Sequence, residues 1–387
     1  MSAPAVLCFS HLRWNFVFQR PNHLMTRCAR DHQVFFIEEP IHEAQGAELH
    51  VTTIGENLTR VVPDLPDGLT ASQQTEEIAR MLVELCAARN VRHAIHWYYT
   101  PMMLPLGERL PCDLVVYDCM DELSNFLHAP KELTQRESEL MRRADVMFTG
   151  GMALYDAKRH QHPNVHGIPS SVDAAFFAKA RAPQDEPGDQ ASIARPRLGY
   201  CGVIDERMDL GLLEALARAR PAYQLVMLGP IVKIDPDSLP KLPNVHYLGG
   251  KKYEQLPAYL AGWDVALMPF ALNDATRFIS PTKTPEYLAA GRRVVSTAIR
   301  DVVEPYERHG LVRIGRTTDE FIAQVDAALA DGGEHDHARD AFLAKSSWDD
   351  TWSRMQRLMR EAAEQRRSPA VAHATSHGTI PERGVHV

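Results

Sequence analysis

Short apolar, β-branched runs alternate with stretches of helical period along most of the chain. Residues 6–10 (VLCFS), 33–39, 58–63, 94–99, 113–118, 146–150 and 165–169 read as strands bounded by polar, Gly or Pro positions. Helical patterns lie between them at 19–30, at 72–89 (where Ile78, Met81, Leu82 and Leu85 share a face) and at 131–144, with a short helix after 150. Strand and helix alternating at this spacing predict βαβ units and a mostly parallel sheet.

The pattern breaks at 179–196 (KARAPQDEPGDQASIARP), a Pro-, Ala- and charge-rich stretch without period that reads as a linker or exposed loop. The rhythm then restarts, with strands at 197–202, 223–229, 244–249, 264–269, 292–297 and 311–315, and helices at 209–220, 253–261, 281–290 and on to 366. The prediction is an α/β protein of two Rossmann-like, doubly wound domains, 1–178 and 197–347, facing across a cleft. Ligands bind such sheets beyond the carboxyl ends of the strands, which makes the cleft the expected site. The polar, His- and Pro-containing stretch 367–387 reads as a disordered tail.

Composition narrows the function classes. A length of 387 residues suits two domains. The net charge of −8 argues against a nucleic-acid partner, while leaving room for a local basic pocket for a phosphorylated small molecule. No apolar run is long enough to span a membrane, and MSAPAVLCFSHLRW lacks the features of a secretory signal, so a cytoplasmic protein is expected. The six cysteines are scattered without a CxxC pair and read as buried free thiols. No metal site is expected, because His93, His96, His160 and His162 lack partners at ligand spacing. A dinucleotide loop is equally unsupported: Gly199-Tyr-Cys-Gly202 lacks the spaced glycines of G-x-G-x-x-G.

The informative stretch is 273–297 (NDATRFISPTKTPEYLAAGRRVVST). Ser280-Pro281 suits the cap and first position of a helix, whose unpaired N–H groups could face a phosphate. Arg277 and Lys283 flank that start, and Glu286 follows Lys283 by about one turn, in reach of sugar hydroxyls. An ordinary capped helix with a surface Lys–Glu pair fits the same spacing.

Residues 286–291 (EYLAAG), followed by 294–297 (VVST), resemble the donor-binding motif of GT-B glycosyltransferases of the glycogen-synthase-like (group 1/4) clan. The resemblance implies that Glu286 binds the nucleotide ribose and Lys283 the diphosphate. Many members carry an earlier glutamate near the donor sugar. Phe278 stands at that position, and 276–283 (TRFISPTK) instead resembles a TuaH-like polysaccharide-biosynthesis subgroup. Residues 198–217 resemble the strand–loop–helix that opens the clan's nucleotide-sugar-binding domain, which implies that Arg207 lies near the diphosphate. Pairing of Arg207 with Glu206 or Asp209 is the alternative. Residues 244–270 also resemble the clan, implying that Gly249 and Gly250 lie near the base. The same resemblance implies that a helix at 348–366, with Trp348 and Trp352, crosses back to the N-terminal, acceptor-side domain.

In that domain, residues 11–23 follow the first strand directly, and QRPNHL (19–24) resembles the same subgroup. Trp14 and Phe16 are placed to stack on a sugar or to join the core, and Arg20 and His23 to bind an anionic or hydroxylated group. Residues 115–126 (VVYDCMDELSNF) set Asp118 and Asp121 just beyond a buried strand, as a general base for the acceptor hydroxyl or as a helix cap. Gly150 and Gly151 could admit close backbone approach to the cleft.

The reading is a glycosyltransferase that moves a sugar from a nucleotide-diphosphate donor, UDP- or GDP-linked, to a glycan or lipid-linked acceptor in cell-surface polysaccharide biosynthesis. Arg207, Arg277, Lys283 and the helix start at Ser280 would neutralise the diphosphate without metal or further cofactor. Peripheral contact with the inner face of a membrane is left open. The rivals are a nucleotide-sugar epimerase or phosphorylase on the same fold, and a catalytically silent subunit that binds nucleotide sugar.

Overall fold

The apolar runs of the first half become β1 (Ala5–Ser10), β2 (Val34–Glu38), β4 (Leu58–Asp64), β5 (Ala94–Tyr98), β6 (Leu114–Cys119), β7 (Val146–Thr149) and β8 (Val165–Gly167), joined by a further strand, β3 (Glu48–Gly55). The sheet order is β3-β4-β2-β1-β5-β6-β7-β8, and every pairing is parallel except β3 with β4. β1, β2 and β5 are buried along their whole length, as strands covered on both faces must be. β3 is a strand that the pattern of apolar positions misses, because its residues are mostly exposed and carry no core-facing alternation. Pairing with β4 through a turn containing Asn57 (φ 150°) makes it a strand.

The second half gives β9 (Arg197–Cys201), β10 (Gln224–Leu228), β11 (Val245–Gly249), β12 (Val265–Met268), β13 (Arg293–Thr297) and β14 (Val312–Gly315). They form one parallel sheet in the order β11-β10-β9-β12-β13-β14. The computed structural model describes residues 3–331 and 336–367. Of the expected tail, only Arg367 falls among them; 368–387 lie outside the described residues.

The stretch expected as a linker or exposed loop is partly structured and held down. It contains short helical turns at Lys179–Arg181 and Gly188–Ala191. Gln190 is fully buried, donating to the Tyr259 carbonyl and accepting from Trp263 Nε1. Periodicity cannot reveal one buried glutamine, which is why the segment looked featureless. Helix Trp348–Arg367 packs Trp348, Trp352 and Met355 into one core cluster with Val6, Trp97 and Phe148 of the first sheet. All six cysteines are free, and five are buried.

In both sheets the strand order reverses direction beside the first strand of the domain, at β1/β5 and at β9/β12. The crevices that open there lie at the carboxyl ends of the strands. The loops that leave β1 (residues 11–19) and β9 (residues 202–208) therefore border the natural ligand sites.

Candidate functional site

Those two loops line connected spaces between the domains. A front cavity of about 570 Å³ is walled by residues 14–18 of the first domain and by Cys201, Gly202, Gly229, Gly250, Tyr253 and Lys283 of the second. A neck of about 130 Å³ follows, bordered by Asp121, Gly150, Arg207, Ser280 and Lys283. A side cavity of about 480 Å³ lies beyond, with Asp121 and Arg207 common to it and the neck. Gly229 serves the front cavity by close approach: its φ is +145°, and a Cβ there would sit 1.7 Å from the Gly202 carbonyl oxygen.

Asp121 borders the neck. Among the described residues, nothing hydrogen-bonds its carboxylate. Burial raises its pKa to about 6, against the opposing pull of the Arg207 and Arg20 charges. The helical turn beside it, Leu123–Asn125, takes no side-chain cap, so the capping alternative is not realised.

Arg207 is held from the side by Asp205, Nε to Oδ1 at 3.0 Å and Nη2 to Oδ2 at 2.6 Å. Its guanidinium lies 5.5 Å from the centre of the Phe126 ring. Neither alternative partner is used: Glu206 accepts from the Leu127 amide across the cleft, and Asp209 caps helix Leu210–Ala219. Lys283 reaches both front cavity and neck, with Nζ 2.7 Å from Glu286 Oε2. Burial pushes the Glu286 carboxyl up and Lys283 opposes that shift, while Glu286 keeps Lys283 protonated despite its own burial. Glu286 is buried behind Lys283 rather than on the cavity wall.

Several expected residues are held in other ways than the sequence implied. Asp118 and Arg20 are both buried and paired, Nη2 to Oδ1 at 2.9 Å, with Arg20 also donating to the Ile168 carbonyl. Asp118 is fully buried and borders none of the three spaces, whereas Arg20 lines the neck with its guanidinium committed to Asp118 and to the Ile168 carbonyl. His23 is stacked on Trp348 (4.6 Å) and edged by Phe18 and Tyr253. Burial lowers its pKa to about 3, so it is a neutral packing group. Arg277 is exposed, lies over Phe278 (5.2 Å) and borders none of the three spaces. Phe278 itself packs against the core of the first domain. The helix begins at Lys283 rather than at Ser280 and has seven residues, with no side-chain cap. Ser280 lines the neck as loop, since residues 280–281 belong to no helix or strand.

Trp14 borders the front cavity while its ring edges against Phe36 (5.1 Å). Phe16 is 51% exposed and borders the front and side cavities. Gly150 lines the neck, and a Cβ there would meet the Met120 carbonyl oxygen at 2.4 Å. Gly151 faces Asp301 of the second domain. Sequence reasoning missed Asp205, Phe126 and Tyr253. Tyr253 lies between the rings of Phe18 (4.3 Å) and Phe176 (4.6 Å), joining the domains beside the front cavity. Only Asp205, two residues before Arg207, left a signal in the sequence. His11 was missed as well; it lines the side cavity with its pKa lowered to about 4 by burial and by Lys233.

Residues 195–331 match the family model described as glycosyl transferases group 1. The putative teichuronic acid biosynthesis glycosyltransferase TuaH of Bacillus subtilis (strain 168) is 25% identical over 280 residues, covering 67% of this chain and 69% of that protein. A sucrose-phosphate synthase from Thermosynechococcus elongatus superposes with a TM-score of 0.69 at 15% identity, over 94% of this chain and 100% of the other. A UDP-forming α,α-trehalose-phosphate synthase from Burkholderia xenovorans gives 0.66 at 14% identity, over 93% and 100%. Two facing parallel sheets with a cleft at both switch points give the chain the GT-B fold, and the match of its second domain to glycosyl transferases group 1, together with the likeness to TuaH, supports a glycosyltransferase of that clan.

Proposed function

We propose that the chain transfers a sugar from a nucleoside-diphosphate donor, UDP- or GDP-linked, to a hydroxyl of a glycan or lipid-linked acceptor in the building of a cell-surface polysaccharide. The observation that carries this reading is the order of spaces along the cleft: front cavity, neck, side cavity, with Asp121 and Arg207 where neck and side cavity meet. In this reading the nucleotide occupies the front cavity, between the loop 14–18 and Gly250. The diphosphate lies toward Lys283, and the anomeric carbon enters the neck. The acceptor hydroxyl arrives from the side cavity and attacks that carbon as the bond to the diphosphate oxygen breaks. Asp121 takes the hydroxyl proton, and the Lys283 and Arg207 charges stabilise the departing diphosphate.

Asp205 and Glu286 would act by holding those two cations in place, which lowers the reorganisation needed at the moment of reaction. No step in this scheme calls on a metal. Work at the inner face of a membrane would fit a lipid-linked acceptor; among the described residues, no helix is long and apolar enough to cross one. The test is a donor screen by calorimetry and nucleotide release, followed by trials with lipid-linked glycans. Acceptor-dependent release from one donor is the expected result, and tight binding of a donor that no acceptor discharges would overturn it. That outcome belongs to the second reading, a silent binding subunit. Its support is Phe278, which fills with packed hydrocarbon the position where clan members carry a glutamate.

A further inference from the structure

Asp301 stands outside the neck and yet holds both of its sides. It follows β13 in the first turn of helix Arg300–Tyr306, and its carboxylate reaches across to the first domain. Oδ2 accepts from the Met152 amide and Oδ1 from the Ala153 amide, each at 2.8 Å. These are first-turn donors of helix Met152–Lys158, which have no partner within their own helix. Ser280, on the wall of the neck, lies beside the same carboxylate and stabilises its charge. Gly151 permits the approach, since a Cβ there would sit 2.2 Å from Asp301 Oδ2 and 2.6 Å from Ser280 Cβ. Arg300 adds an ion pair to Asp156 of the same helix at 2.5 Å. Asp301 lines a rear cavity that shares Ser170, Ser280 and Pro281 with the neck, and it is not among the residues that border the neck itself.

We propose that Asp301 is a positioning residue that sets the closed spacing of the neck, clasping residues 151–153 of the first domain to Ser280 of the second. A two-point hydrogen bond to a carboxylate is strong over a narrow range of distance and direction, so it defines one closed geometry. The aromatic contact of Phe18 with Tyr253 tolerates sliding and sets no such point. In a neck of about 130 Å³, a displacement of about 1 Å is enough to misalign reacting atoms. The consequence for turnover rests on the transfer reading above; the clasp does not.

The test compares the full chain with Asp301→Ala, Asp301→Asn and Gly151→Ala by amide hydrogen exchange and small-angle scattering. Asp301→Ala should speed exchange at Met152 and Ala153 by about 10-fold or more and widen the scattering envelope, while the β13 amides stay protected. Asp301→Asn, which keeps the shape and loses the charge, should fall between. Gly151→Ala, which displaces the carboxylate without removing it, should open the protein in the same way. In titrations with UDP and GDP the affinity should stay within about twofold, while acceptor-dependent nucleotide release falls about 10-fold. Protected amides and an unchanged envelope in both Asp301→Ala and Gly151→Ala would overturn the proposal. Failure of the wild type to bind UDP or GDP would count against the transfer reading alone, since the exchange measurement still decides the clasp.

Discussion

Arg20 grips Asp118 through two nitrogens, Nε at 3.1 Å from Oδ2 and Nη2 at 2.9 Å from Oδ1, and neither side chain is more than 2% exposed. The pair ties the first turn of helix Arg20–Cys28 to the end of β6, and so fixes the loop 11–19 that roofs the front cavity. Removing one partner leaves the other charged and buried. Arg20→Met alone should therefore cost about 3–5 kcal/mol in denaturant unfolding, and the double change Arg20→Met with Asp118→Leu should recover much of that. A single-variant cost under about 1 kcal/mol would show that the pair is already solvated.

Asp121→Asn should lower turnover by about 100-fold or more while leaving nucleotide affinity nearly unchanged. The wild-type pH profile carries the same information. A base must be deprotonated to accept a proton, and burial sets this carboxyl at about 6, so kcat should rise between pH 5 and pH 7 and then level. A profile flat through that range would remove Asp121 from the proton transfer.

Lys283→Ala should weaken binding of UDP or GDP by about 10-fold or more and leave uridine or guanosine binding almost untouched, because a charge-assisted contact to the diphosphate is what disappears. The change also strands Glu286 in a buried setting, so the thermal midpoint should fall as well. Adding Glu286→Gln should restore much of the midpoint without restoring nucleotide affinity. Recovery of both together would mean that Lys283 serves packing rather than phosphate.

Trp352→Ala should cost about 3–5 kcal/mol, since the ring is buried against the first sheet. The loss should appear in the first domain's amide exchange before the second domain's. Equal loosening of both would contradict the assignment of this helix to the first core.

The sequence made the strands legible because parallel strands are apolar throughout, and the restart of the rhythm after residue 196 revealed a second sheet. β3 stayed hidden, since its order comes from a partner strand and not from burial. At the site, Asp121, Arg207, Lys283, Gly150 and Gly250 do border the cleft, where the loops after the strands had put them. Asp118, Arg20, Glu286 and Arg277 were visible as charges, but what each charge faces is set by tertiary pairing. A spacing of three between Lys283 and Glu286 is the same whether the two face a ligand or each other. His23 lost its polar promise to Trp348, a neighbour from the opposite end of the chain.

The helix Trp348–Arg367 belongs to a core whose other members lie between residues 6 and 168. During synthesis the first half must therefore wait, with Leu24, Trp97 and Phe148 uncovered, until the second half has emerged and its last helix can return. Translation ordinarily lets an amino-terminal unit finish first. Here the unit made first is completed last, and a chain ending before residue 348 would carry both sheets with one face of the first still uncovered.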